Sequence, residues 1–205
     1  MGQAASQSIG QNARAGQSIT IVTGLPRSGT SLMMKMLEAG GLPPLVDHLR
    51  QADVDNPQGY YEFERVKQIE KGDGAWLGEA QGKAVKVISA LLKHLPNDYH
   101  YRVIFMERAM DEVLASQRKM LAHRNESGSS AAEEARMGQI FARHVEESRR
   151  WLAAQPNITT LYIHYGQLLQ DAPPHIHQLQ KFLKQPLNAE QMLAAIDPAL
   201  YRNRV

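Results

Sequence analysis

Three kinds of anion-binding group stand together in Gly24-Leu-Pro26-Arg27-Ser28-Gly29-Thr30-Ser31. Arg27 offers a planar fork of donors, and the hydroxyls of Ser28, Thr30 and Ser31 add more. The two glycines let the backbone turn with its N–H groups pointing inward. Such a set suits a compact tetrahedral oxyanion. The Gly-x4-Gly spacing is that of a nucleotidase loop, but Thr30 stands where that motif has lysine, and the cation has moved to Arg27. A magnesium-nucleoside triphosphate would be held poorly at its outer phosphates.

A second anion pair lies further on. Arg108 follows the apolar run Tyr101-Arg-Val-Ile-Phe-Met106, and Ser116 stands eight residues after Arg108, inside the next helical stretch. An arginine at a strand end and a serine on the following helix can approach one phosphate. Lys86 sits within Ala84-Val-Lys-Val-Ile-Ser89, a short strand pattern. A lysine there is costly unless its amine meets an anion or reaches water. Proton acceptors are offered by the irregular connection after the first helix, in Asp47, His48, Glu62 and Glu64. An imidazole needs no special tuning for this role, whereas a carboxylate needs burial.

The elements that position these groups follow from periodicity. Thr20-Ile-Val-Thr23 is a β-branched run ending at Gly24, and Leu32, Met33, Met36 and Leu37 trace one helical face before Gly40-Gly41. The new helix adds unpaired amides and a positive dipole end to the loop. Val66 and Ile69 line a short helix ended by Gly72 and Gly74, Ala84–Ser89 is a second strand, and Ala90–Leu95 is a further short helix. Tyr101–Met106 is a third strand, apolar on both faces as a central parallel strand should be. A helix carrying Val113, Leu114, Gln117, Met120 and Leu121 follows, then a polar loop at 123–130. Met137, Ile140, Phe141, Val145, Trp151 and Leu152 mark a long helix over 131–154 that is expected to lie on the sheet. Ile158–Ile163 is a fourth strand, and helices are predicted near 175–184 and 189–196.

Strands separated by helices, without hairpin signals, predict a three-layer α/β/α fold with a parallel sheet of about four to five strands. Right-handed crossovers then bring Gly24, Ser89, Glu107-Arg108 and His164-Tyr165 to one edge, where ligands bind in such folds. One domain over 18–205 after a flexible tail at 1–17 fits the 205-residue length.

Composition excludes some chemistry. There is no cysteine, so thiolate nucleophiles, disulfides and cysteine-bound zinc are ruled out. A net charge of +2 makes no demand for nucleic acid as a partner. No apolar run approaches a membrane span and residues 1–17 lack a secretory core, so a cytoplasmic location is expected. Met1-Gly2-Gln-Ala-Ala-Ser6 fits the short myristoylation pattern, which also occurs often by chance. His175 and His177 have no evident third metal ligand, and no metal is expected.

The Pro26-Arg-Ser-Gly-Thr30 loop, followed one strand–helix unit beyond the second strand by Arg108-x7-Ser116, resembles the sulfotransferases that use 3′-phosphoadenosine 5′-phosphosulfate (PAPS). The Tyr165-Gly-Gln-Leu-Leu-x-Asp-x-Pro173 segment also resembles that family, and the likeness runs from about residue 18 to the end. Its motifs look closest to bacterial and tyrosylprotein members. The Asp55-Asn-Pro-x-Gly-Tyr-Tyr-Glu62 stretch is again similar to bacterial ones. The resemblance implies a P-loop nucleotide-binding fold of sulfotransferase type, with PAPS as sulfuryl donor. Gly24, Pro26, Arg27, Ser28, Gly29, Thr30 and Ser31 would hold the 5′-phosphosulfate, Arg108 and Ser116 the 3′-phosphate, and Lys86 would sit near the transferring group. The family's Lys-Thr-His on the second strand reads Lys86-Val-Ile88 here, without the histidine. The position of the tyrosylprotein enzymes' glutamate falls at Asp47. Asp47, then Glu62, then His48 are the candidate bases. The family's glycine-rich C-terminal segment is missing, with Arg202 and Arg204 as possible substitutes. The acceptor is a hydroxyl or amine on a small molecule, carbohydrate, lipid or protein tyrosine. A kinase or nucleotidase of the same fold, and a nucleotide-binding protein without turnover, are the alternatives.

Overall fold

The computed structural model describes residues 18–47, 49, 59–123 and 130–197. Ile19, Ile21 and Val22 are apolar on both faces of a strand, which suits only the interior of a layered sheet. β1 (Ile19–Gly24) is accordingly buried along its whole length. It lies between β2 (Ala84–Lys86) and β3 (Tyr101–Glu107), with β4 (Ile158–His164) beyond β3, in the order β2-β1-β3-β4. Every pairing is parallel. The register sets Val22 beside Lys86, Gly24 beside Met106, and Glu107 beside His164. The carboxyl ends named above therefore share one edge, as expected.

One face is covered by α1 (Thr30–Ala39), α4 (Tyr165–Gln170), α5 (Ala172–Leu183) and α6 (Ala189–Ala194), packed on Val22, Ile104, Met106 and Ile163. The other is covered by α3 (Ala131–Ala153) and by 3-10 turns at Glu64–Lys71, Ala75–Gly78 and Ser89–His94, over Ile21, Val85, Val103 and Phe105. The result is a three-layer α/β/α arrangement. α2 (Met110–His123) leaves the edge and meets the amino-terminal half of α3, where an Arg118–Glu134 ion pair of 2.9 Å joins them.

The structure corrects several local expectations. β2 stops at Lys86 because Ser89 already begins a 3-10 turn, and the stretches at 64–71 and 89–94 are 3-10 rather than α-helical. These runs are too short for stable α-helix, and packing of Val66, Ile69 and Leu92 decides their form. Only the carboxyl-terminal half of α3 lies on the sheet. Met137 and Ile140, assigned to its buried stripe, are 42% and 51% exposed. A Ser130–Glu133 capping box, unread in the sequence, starts that helix. α4 was not expected. Its six residues are too few to show a period. The tail at 1–17, His48, the whole 50–58 connection, the 124–129 loop, Arg202 and Arg204 lie outside the described residues. Among the described residues no helix is long and apolar enough to cross a membrane.

Candidate active site

The loop from Gly24 to Thr30 is bent by residues in unusual conformations. Gly29 has φ 97°, and a Cβ there would stand 2.3 Å from Cδ2 of Tyr165. Only glycine meets both conditions. Arg27 adopts φ 69°, in the left-handed region that non-glycine residues rarely visit. Ser28 closes the turn, its hydroxyl donating to the Leu25 carbonyl at 2.7 Å. That hydroxyl is engaged within the loop. α1 begins at once, with no acidic residue in its first turn and no side-chain cap on its amides. The amides and the positive helix end thus face the loop without a built-in anion.

Arg108 and Ser116 converge on the same loop. Nε of Arg27 donates to Oγ of Ser116 at 2.9 Å, across 89 residues of sequence. Arg108 donates through Nη1 to the Arg27 carbonyl at 3.0 Å and through Nε to Glu112 at 2.7 Å. Its guanidinium also stacks 4.6 Å from the centroid of the Tyr165 ring. The Arg108 and Glu112 side chains are only 6% and 10% exposed. Burial pushes the Tyr165 phenol up from its ordinary value, with Arg108 and Arg27 partly opposing it, so the ring stays neutral beneath the Arg108 guanidinium. Arg27, Arg108 and Ser116 therefore form one cationic cluster over a neutral aromatic base.

Lys86 reaches the loop from the other flank. Its amine donates to the Tyr60 carbonyl, lies 3.4 Å from the Ser31 hydroxyl and 6.0 Å from the Tyr60 ring centroid. The residues expected as bases are placed differently. Asp47 accepts backbone N–H bonds on both oxygens, from Leu49 at 3.1 Å and Glu64 at 2.6 Å, and so ties the connection to the 64–71 turn. Its own N–H donates to the Glu62 carbonyl at 3.4 Å. The Glu62 carboxylate lies 3.9 Å from the Lys67 amine.

At this edge Ser89, Glu107, His164 and Tyr165 stand where the sequence placed them, whereas Glu112, His144 and Arg149, and the contacts all of these make, had gone unread. Glu112 was legible as the i+4 partner of Arg108. Tyr165 was placed at this edge by the sequence, but nothing local announces its contact with Gly29. Ser89 and His144 lie 2.8 Å apart, joining the turn after β2 to α3; the only hint was a lone histidine in an apolar helix stripe. Glu107 pairs with Arg149, whose guanidinium stacks 4.7 Å from the Tyr162 ring centroid. The acidic strand end is thereby engaged by an arginine. His164 Nδ1, on the strand beside Glu107, is buried without a hydrogen-bond partner. Among the described residues no group of three or more histidines and carboxylates is placed to hold a metal ion.

A family model described as "Sulfotransferase domain" matches residues 17–203. Among solved structures, the chain is similar to the sulfotransferase domain from the Synechococcus PCC 7002 olefin synthase. The identity is 15%, the TM-score 0.55, and the coverage 97% of this chain and 90% of that one. It is also similar to the sulfotransferase domain from the curacin biosynthetic pathway, at 16% identity and TM-score 0.54, covering 88% of this chain and 78% of that one. At such identities these structures speak for the fold. No curated protein matches the chain by sequence.

Proposed function

The chain belongs to the sulfotransferase domain family, and from that premise we propose that it moves a sulfuryl group from PAPS to a hydroxyl or amine acceptor. The observation that carries this reading is the contact of Arg27 with Ser116, together with the Arg108 bond to the Arg27 carbonyl. Two anion-binding motifs far apart in sequence meet in direct contact at one sheet edge, which supports a nucleotide that carries phosphate at more than one position. The residues fit such a group. In this reading 24–31 is a phosphate-binding loop of P-loop type. Gly24, Pro26, Ser28 and Gly29 shape it, the Ser28 amide and hydroxyl both closing the turn on the Leu25 carbonyl, while Arg27, the Gly29 amide and the Thr30 and Ser31 hydroxyls hold the 5′-phosphosulfate. Arg108 and Ser116 receive the 3′-phosphate, a demand that an ordinary nucleoside triphosphate does not make.

Sulfuryl transfer needs an acceptor atom in line with the sulfur–oxygen bond that breaks, and positive charge where the leaving phosphate gains its electrons. Arg27 supplies that charge from the loop and Lys86 from β2. We expect Lys86→Met to slow conversion of PAPS to the bisphosphate by roughly 10²- to 10³-fold, the usual loss on removing one such donor. Affinity for adenosine 3′,5′-bisphosphate should change little. Unaltered turnover would return Lys86 to a purely structural role.

Of the expected bases, Asp47 has both oxygens on backbone donors, and we assign it to capping the 64–71 turn. Asp47→Asn keeps one acceptor oxygen. It should lower stability by about 1 kcal/mol, as loss of a cap does, and leave PAPS turnover within a few-fold of the parent. A much larger loss of turnover in a folded variant would restore Asp47 as the base. Glu62 and His48 remain proposals of the same kind. A tyrosine hydroxyl belongs among the acceptors to be tried, on the strength of the loop's likeness to tyrosylprotein enzymes.

The reading is tested by following bisphosphate release from PAPS in the presence of a chelator. Turnover that persists under chelation is expected. Magnesium-dependent cleavage of ATP with PAPS left intact would overturn the proposal in favour of phosphoryl transfer.

A further inference from the structure

Ser89 opens the turn that follows β2, and its hydroxyl lies 2.8 Å from Nε2 of His144 on α3. Two bonds fix where this pair stands. The Val87 N–H donates to the Val22 carbonyl at 3.0 Å, and the Thr23 hydroxyl donates to the Val87 carbonyl at 2.7 Å. Gly24, where the loop begins, directly follows Thr23, and Ser89 lies two residues past Val87. Ser89 is therefore level with the loop's opening.

The sheet order gives the pair a side. β3, with Arg108 at its end and Ser116 on the helix beyond, flanks β1 on one side, and β2 flanks it on the other. In the PAPS reading the nucleotide's 3′ end belongs to the β3 side, and Lys86 and Ser89 stand on the β2 side, from which an acceptor would reach the sulfur. The surroundings there are apolar. Ile88 is 49% exposed, and Ile140 and Met137 continue the helical stripe outward from His144. They make three of the five exposed large hydrophobic side chains among the described residues. Ile88, next in sequence to Ser89, and Ile140, one helical turn from His144, put exposed apolar side chains beside the polar pair, a composition that suits a ligand wall.

We propose that Ser89 and His144 form a relay that takes the acceptor's proton, from an alcohol whose apolar body lies along Ile88 and Ile140. The relay rests on the PAPS reading above. As the acceptor oxygen bonds to sulfur, the bond from sulfur to the 5′-phosphate oxygen breaks and its electron pair leaves with the bisphosphate. The acceptor's proton passes to Ser89 Oγ, and the Ser89 proton passes to His144 Nε2. The imidazolium so formed loses its proton to water after the sulfate ester departs. This requires the His144 tautomer with its proton on Nδ1.

The test compares the parent with Ser89→Ala, His144→Asn and the double variant. Binding of adenosine 3′,5′-bisphosphate is measured by calorimetry. Turnover of PAPS is then followed with water alone and with 1-octanol as acceptors. Bisphosphate affinity should be unchanged in all four proteins. Each single variant should turn over roughly 10²-fold more slowly, in the range of general-base losses. The double variant should be no slower than either single, because the two groups act as one unit. His144→Asn turning over at the parent rate, or losses that multiply in the double variant, overturns the relay. Parent protein that accelerates neither reaction overturns it as well. Parent protein that does not bind the bisphosphate is a separate outcome, which removes the PAPS reading and the relay with it.

Discussion

Arg108→Ala is expected to weaken binding of adenosine 3′,5′-bisphosphate about ten- to a hundredfold or more. A charge-assisted hydrogen bond contributes roughly 1.5–3 kcal/mol, and each 1.4 kcal/mol is about a factor of ten. Affinity for adenosine 5′-phosphosulfate, which has no 3′-phosphate, should barely move. The same change has a cost in the protein alone, since it leaves the Glu112 carboxylate without the guanidinium that meets it at 2.7 Å in a nearly closed setting. Removing one partner of such a buried pair destabilises by about 3–5 kcal/mol. The Arg108→Ala/Glu112→Ala double variant should recover part of that stability and none of the bisphosphate affinity. Arg108→Lys should behave as an intermediate case, because an ammonium keeps the charge but loses the fork and the stack on Tyr165. Calorimetry with both nucleotides, beside urea melts of each protein, separates these effects. Equal loss for the two ligands would remove Arg108 from the 3′-phosphate.

Gly29→Ala is expected to damage the loop severely, through backbone strain and a clash that add. The residue's φ of 97° costs an alanine about 1–2 kcal/mol. The added carbon would also stand 2.3 Å from the Tyr165 ring, which cannot give way without leaving Arg108. Gly41 provides an internal control, with φ 98° and nothing within 4 Å of a Cβ. The Gly41→Ala variant should show the backbone strain alone. We expect the Gly29 variant to lose at least about 2 kcal/mol beyond it, as overpacking in a closed site does, together with bisphosphate binding. Matching urea midpoints for the two variants would contradict the Tyr165 contact.

The parts of this site that could be read from the sequence are those whose function is local. A glycine-bounded run with Arg27 inside it suggests an anion loop, and Arg108 and Ser116 suggest a second anion pair on a strand end and its helix. Alternating strands and helices were enough to predict that their carboxyl ends meet. The contacts that bind the two motifs together were not legible. Arg27 to Ser116, Arg108 to the Arg27 carbonyl and Tyr165 under Gly29 each join residues from different elements. Their pairing depends on crossover geometry that no spacing encodes. Asp47 illustrates the opposite limit. Its place after the first helix suggested a base, yet its oxygens meet backbone amides, and a carboxylate in a loop serves a cap as readily as a reaction. The outward half of α3 misled for a related reason. A helical apolar stripe reports a face that avoids water in some state of the molecule, and Met137 and Ile140 stand beyond the sheet that was expected to cover them.

The central claim is that one site holds a nucleotide by phosphates at both its 3′ and 5′ ends. Calorimetric titration with adenosine 3′,5′-bisphosphate, set against ATP with and without magnesium, tests it most directly. The account predicts binding of the bisphosphate in the micromolar range or tighter, unaffected by a chelator, with ATP weaker under both conditions. Tighter binding of ATP when magnesium is present would contradict it.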